Sequence, residues 1–208
     1  MSPFINNLIS HPKALERIQR EIQEADKAGR LSKPVVMYEE TTQLPFFSAC
    51  IKETLRRDAP AVTILPRIVS KPGYHLKCFD GEHFIPAGTE MGASPFIIHR
   101  DTRVFGPDPE EWRPERWIQA ESGMGPEEHK EYVSRMEKYG MWWGYGDREC
   151  AGKYYALMEI QKLCTEMLRR FDMASADPEK PYHCEKWAVG MFWNQRLEFT
   201  EKTATTKA

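Results

Sequence analysis

One cysteine, Cys150, stands among glycines and charges in the run Trp143-Gly144-Tyr145-Gly146-Asp147-Arg148-Glu149-Cys150-Ala151-Gly152. Thiolate, not thiol, is the form of cysteine that binds metal, and the positive end of a helix dipole favours a negative charge. A helix follows at once: Ala156, Ile160, Leu163, Met167, Leu168 and Phe171 recur at helical spacing over 151–171. Cys150 is therefore expected at a helix start, with backbone amides facing its sulfur. Gly146 and Gly152 permit a tight turn and close approach of a flat ligand to the backbone. Arg148 offers a fixed cation to a ligand carboxylate. The loop reads as a cradle for a thiolate beneath something planar, apolar and acidic at its edge. A bare Cys-x-Gly also fits a buried structural cysteine. The aromatic, the spaced glycines and the arginine together are what favour ligation.

Composition bounds the setting. A chain of 208 residues can build one good core or two small domains. With 41% hydrophobic and 29% charged residues it has the make-up of a soluble globular protein, and a net charge of −2 gives no sign of a nucleic-acid partner. Cys50, Cys78, Cys150, Cys164 and Cys184 make an odd set without a close pair, which points to a reducing compartment. Neither Cys-x-x-Cys nor an i, i+4 histidine pair occurs, so zinc-ligand spacing is absent. No apolar run reaches the length of a membrane span, and no signal-peptide pattern is seen.

The elements that must position the loop are mostly helical. Phe4, Ile5, Leu8 and Ile9 form one stripe, which Ser10 is expected to end while capping the next helix. That helix carries Leu15, Ile18, Ile22 and Ala25, a charged face read as solvated, and Gly29 as its stop. Residues 33–45 are irregular, with Glu40-Thr41-Thr42 as a turn or helix cap. Residues 44–58 form a helix with Phe47, Ile51 and Leu55 toward the core; Glu53 and Arg56 pair at i, i+3 on another face. Strands are expected over 61–69 and 89–93, and a hairpin over 74–79 and 83–85 about Asp80-Gly81. His99 reads as a satisfied structural histidine in a short helix or turn. Residues 118–140 read as an exposed, charged insertion with one short helix, and 173–181 as a link. The chain then forms a hairpin over 187–199 with its tip near Gly190, Met191 and Phe192, and a fraying tail from Thr200. The fold class is mainly α with small β-sheets (α+β).

Three motifs in order, Glu53-Thr54-Leu55-Arg56, Pro114-Glu115-Arg116-Trp117 and the cysteine loop, resemble those of the cytochromes P450. The loop fits that family's aromatic-Gly-x-Gly-x-Arg-x-Cys-x-Gly pattern throughout, with Trp143 where Phe is usual. The resemblance implies that Cys150 is the axial thiolate ligand of the iron of haem b (iron protoporphyrin IX). It also implies cofactor contacts from Arg148 at a propionate, Trp143 beside the sulfur, and Gly144, Gly146 and Gly152. Arg67, in Leu65-Pro66-Arg67, would reach the second propionate, unless it is a solvent-exposed strand residue. Glu53, Arg56 and Arg116 would form a buried structural network. Ala61, Val62, Thr63, Ile64 and Leu65, with Met191 and Phe192, would line the substrate pocket. Thiolate ligation pushes electron density onto iron and favours O–O cleavage.

The implied function is a haem-thiolate monooxygenase that inserts one atom of O2 into a small apolar organic substrate. Electrons would come from NADPH–cytochrome P450 reductase or a similar donor. The implied location is intracellular, commonly the cytosolic face of the endoplasmic reticulum, though no membrane anchor is seen here. A haem-binding remnant without turnover and a non-haem structural or interaction protein are the alternatives. The resemblance covers the C-terminal half of the family's pattern and is closest to fungal microsomal members. It implies part of one domain: helices to the Glu-x-x-Arg helix (1–58), a β region (59–95), a meander (96–142), the haem-thiolate loop and following helix (143–172), and a terminal hairpin and tail (173–208). The family's oxygen-activating acid–threonine pair is not matched on an apolar helix, so these residues alone are not expected to turn over substrate.

Overall fold

The computed structural model describes residues 1–180 and 182–202. Its helices are α1 (Ser2–Ser10), α2 (Pro12–Lys27), α3 (Tyr38–Thr41), α4 (Pro45–Arg57), α5 (Pro95–Ile98), α6 (Thr102–Phe105), α7 (Pro126–Tyr139) and α8 (Lys153–Arg170). Its strands are β1 (Leu65–Ile68), β2 (Tyr74–Cys78), β3 (Gly81–Ile85), β4 (Glu90–Ala93), β5 (Phe171–Ser175), β6 (His183–Lys186), β7 (Gly190–Trp193) and β8 (Leu197–Glu201). The fold is mainly helical with small antiparallel sheets, an α+β class. No described helix is long and apolar enough to cross a membrane.

The N-terminal stripes become α1 and α2, which meet at His11; Ser10 is the last residue of α1 and caps nothing. Gly29, at φ +69°, ends α2. Its amide donates to Asp26 O (3.0 Å) and that of Arg30 to Ala25 O (2.9 Å), the paired bonds of a Schellman stop. The charged face of α2 is only partly solvated. Glu21 accepts the amides of Phe46 and Phe47, each at 2.9 Å, at the start of α4, where the helix dipole favours an anion. Burial nevertheless raises the Glu21 pKa, outweighing those two bonds. Phe4 and Leu8 of α1, Ile18 and Ile22 of α2, Phe47 and Ile51 of α4 and Leu168 of α8 form the main core. Each such side chain contributes roughly 1.5–3 kcal/mol by leaving water.

A second core departs from the sequence expectation. Residues 118–140 are not an exposed insertion: α7 buries Tyr132 and Met136 against Val104 and Phe105 of α6, and its buried His129 lies 3.2 Å from the Arg116 carbonyl oxygen. The partner lies outside the local pattern, so the charges of α7 read as solvation on every side.

The strands pair as β1–β4, β2–β3, β5–β8 and β6–β7, all antiparallel. Residues 61–64 form no strand; Ala61 makes only an isolated bridge to Val189. In the first hairpin Cys78 faces Gly81, so the turn is Phe79-Asp80, one residue earlier than expected. Near the C-terminus the expected link begins as β5, which pairs with β8 and encloses the β6–β7 hairpin. The tip of that hairpin is Trp187 to Val189; Met191 and Phe192 lie on its return strand. Thr200 and Glu201 belong to β8, while residues 181 and 203–208, and with them the rest of the expected tail, lie outside the described residues.

Candidate functional site

The cysteine loop folds on itself before α8 begins. Gly144 (φ +81°) and Gly146 (φ +63°) occupy the left-handed region open to glycine. A Cβ on Gly144 would lie 3.1 Å from the Arg148 carbonyl oxygen, so the chain crosses itself closely there. The Cys150 amide donates to Trp143 O (2.6 Å) and the Glu149 amide to Gly146 O (2.9 Å). Two expectations are corrected here. Cys150 is exposed and lies two residues ahead of Gly152, the N-cap of α8, because the chain turns once more before Lys153 starts the helix. Gly152, at φ −86°, has no conformational need of glycine, and an added Cβ would only touch the Cys150 sulfur at 3.8 Å.

Beside the loop lies a cavity of about 450 Å³. Cys150, Arg148, Arg67, Trp143 and Gly144 line it together with the apolar residues Pro60, Ala61, Leu65 and Val189. Arg67, on β1, donates to Tyr145 O (3.0 Å), which ties that strand to the cysteine loop. One thiol, two guanidiniums and an apolar wall suit a flat, largely apolar ligand that carries a sulfur-binding metal and acidic edge groups. The donor set therefore fits haem.

Of the expected substrate-contacting residues, Ala61 and Leu65 line this cavity, while Val62, Thr63, Ile64 and Met191 do not. Phe192 instead lines a separate cavity of about 220 Å³ with Leu55, Trp143 and Ile160. The hairpin tip lies at Trp187 to Val189, so Val189, and not Met191 or Phe192, lines the cavity with Cys150. Val189, Met141 and Trp142 were missed by the sequence reading; Val189, an apolar residue just before Gly190, is the signal that could have marked the tip.

Glu53, Arg56 and Arg116 meet in one buried network, at 0%, 0% and 1% exposure. The Glu53 carboxylate accepts from Arg56 Nε (2.9 Å) and Nη2 (2.8 Å), Arg116 Nε (3.0 Å), the Arg113 amide (2.9 Å) and the Trp117 indole (2.9 Å). The outer nitrogens of both arginines donate to carbonyls of the segment between α5 and α7. Arg56 Nη1 reaches His99 O (3.0 Å) and Pro109 O (2.6 Å), Arg56 Nη2 reaches Glu111 O (2.8 Å), and Arg116 Nη1 reaches Phe105 O (2.6 Å). Burial opposes the Arg116 charge, but Glu53, the Tyr132 hydroxyl and Asp108 outweigh it and raise its pKa.

Glu40 and Thr41 lie away from the cavity. Glu40 accepts the Ser32 and Met37 amides, each at 2.9 Å, and the Ser32 hydroxyl, bonds that lower its pKa; Thr41 bonds Gln161 Oε1 at 2.9 Å. At the first hairpin turn, Cys78, Asp80 and His83, all exposed, bring their donor atoms within 4.8 Å of one another, a grouping that sequence spacing did not reveal.

A family model described as cytochrome P450 matches residues 1–199. A cytochrome P450 monooxygenase of Aspergillus flavus is 34% identical over 174 residues, covering 84% of this chain and 32% of the relative. The cytochrome P450 monooxygenase cicH of Emericella nidulans is 35% identical over 190 residues, 91% of this chain and 35% of the relative. The cytochrome P450 monooxygenase mpaDE of Penicillium roqueforti is 36% identical over 179 residues, 86% of this chain and 20% of the relative. The chain spans about a third or less of the length of these curated relatives.

Proposed function

The chain belongs to the cytochrome P450 family, and on that premise we propose that it carries the cofactor-ligating part of a haem-thiolate monooxygenase. The reaction is insertion of one oxygen atom of O2 into an apolar organic substrate, with electrons delivered singly by a reductase. The observation that carries this reading is the meeting of Cys150, Arg148 and Arg67 on one largely apolar cavity.

Haem, when bound, supplies the iron at which dioxygen is reduced. The chain's own residues do the rest. Cys150 would hold the iron through its thiolate, a strong electron donor. Arg148 and Arg67, which line the same cavity, would pair with the acidic edge groups of the cofactor, since the fixed fork of a guanidinium sets the orientation of a carboxylate. Trp143 lines the cavity with Cys150, and Pro60, Ala61, Leu65 and Val189 form an apolar wall that keeps water from that side. The Glu53 network holds Arg113 and Trp117, and so the segment before α7, against α4.

The test is the reduced-CO difference spectrum of the haem-loaded protein and its variants. The expected result is a thiolate-type Soret band that Cys150→Ser abolishes, while Arg148→Leu and Arg67→Leu lower haem retention. The band should persist in Cys50, Cys78, Cys164 and Cys184 variants. A band that survives Cys150→Ser overturns the ligand assignment. NADPH oxidation coupled to product, with a reductase present, tests turnover; haem binding without it would leave a binding protein.

A further inference from the structure

His99 is fully buried, yet it does not line the cavity beside Cys150. Its two ring nitrogens join elements distant in sequence. Nε2 lies 2.9 Å from the Met141 backbone nitrogen, which can only donate, so Nε2 must carry the lone pair. The proton is then on Nδ1, 3.0 Å from the Arg56 carbonyl oxygen at the end of α4. In return, Arg56 Nη1 donates to the His99 carbonyl at 3.0 Å, which ties the histidine to the Glu53 network. The ring packs on Trp142, with centroids 5.2 Å apart, and meets Phe105 edge-on at 5.7 Å. Met141 and Trp142 lead directly into Trp143, whose carbonyl accepts the Cys150 amide at 2.6 Å.

We propose that His99 is a positioning residue that clamps the entry of the cysteine loop to α4, so that the Glu53 network and the Cys150 loop move as one body. An imidazolium would leave the Met141 amide without an acceptor, and burial, with a smaller push from Arg56 and Arg100, lowers the His99 pKa to about 4 and keeps the ring neutral. The role is selective. The Nε2 bond holds the loop, whereas the tie to α4 is shared by the Nδ1 bond and the bond that Arg56 Nη1 donates to the His99 backbone carbonyl, which a substitution at 99 leaves in place.

This inference rests on the reading of the Cys150 loop as the haem-thiolate loop, and two variants separate its parts. In His99→Gln the side-chain carbonyl reaches the place of Nε2 and can accept from Met141. In His99→Asn the amide nitrogen takes the place of Nδ1 and nothing reaches Met141. Amide hydrogen exchange and the reduced-CO spectrum are measured on the haem-loaded full chain. The Met141 amide should exchange about tenfold faster in His99→Asn, as expected for a lost buried hydrogen bond, and stay within about twofold of wild type in His99→Gln. The thiolate-type band should shrink per folded molecule in the Asn variant and be restored in the Gln variant. If both variants only lower the melting temperature, with equal exchange and unchanged band, His99 is a packing residue and the proposal falls. Should His99→Asn fail to fold, the 15N resonances of the wild-type histidine decide: a protonated Nδ1 with Nε2 accepting supports the clamp, and a proton on Nε2 overturns it. Exchange at Met141 does not depend on which residue ligates iron. A failed Cys150 assignment therefore leaves that readout intact and is told apart from a failed clamp.

Discussion

Replacing Glu53 with alanine leaves the guanidiniums of Arg56 and Arg116 buried without their shared anion. Two charge-assisted bonds to Arg56, at 2.8 and 2.9 Å, and one to Arg116, at 3.0 Å, are lost together. The Arg113 amide and the Trp117 indole lose their acceptor as well. Removing one member of a buried, hydrogen-bonded ion network costs about 3–5 kcal/mol, because the remaining charge is stranded away from water. Against a typical stability of about 5–15 kcal/mol, that is a large fraction of what holds a domain folded. For a chain of this size it corresponds to a fall in melting temperature between about 6 and 20 °C. Glu53→Gln keeps the shape but loses the anion, and should fall nearly as far. The control is Lys52→Ala, which breaks the exposed Lys52–Glu137 pair at 2.8 Å and should cost less than about 1 kcal/mol. Thermal melting and urea unfolding of the haem-loaded protein measure all three. If Glu53→Ala melts within the shift seen for Lys52→Ala, the network does not stabilise the fold and the reasoning is wrong.

Two further outcomes follow from the same packing. Tyr132→Phe removes a hydroxyl that donates to Phe105 O at 2.8 Å and should cost about 1 kcal/mol in urea unfolding, whereas an exposed insertion would show no change. His99 has a folded pKa of about 4, below its ordinary 6.5, so between those values the unfolded chain binds the extra proton. Its contribution therefore makes stability rise with pH across that window and level off above it, by about 3 kcal/mol in all. Subtracting the pH profile of His99→Gln isolates this contribution, and coincident profiles would show that His99 does not titrate with unfolding.

The sequence by itself determined what is local. The cysteine loop is contiguous, so Cys150, Arg148, Gly144 and Gly146 could be read as one unit, and a helix was legible downstream, although α8 starts later than expected, at Lys153. The stripes of α2 and α4 were legible because periodicity reports which face meets a core. Periodicity names no partner, and this is where it failed. The second face of α4, with Glu53 and Arg56, carries charges that by local rules belong in water; the ordered motifs, through the family resemblance, and not periodicity, named Arg116 as their partner. That face is buried because Arg116, 63 residues on, and the carbonyls of Pro109 and Glu111 satisfy those charges. The same blindness turned α7 into an insertion, since its contact with Phe105 is 27 residues away. It also misplaced the last hairpin, whose tip is set by the register of β6 against β7, Lys186 facing Gly190. Tertiary structure alone joined His99 to Met141, 42 residues apart, because a ring nitrogen's partner depends on which backbone amide the fold brings to it.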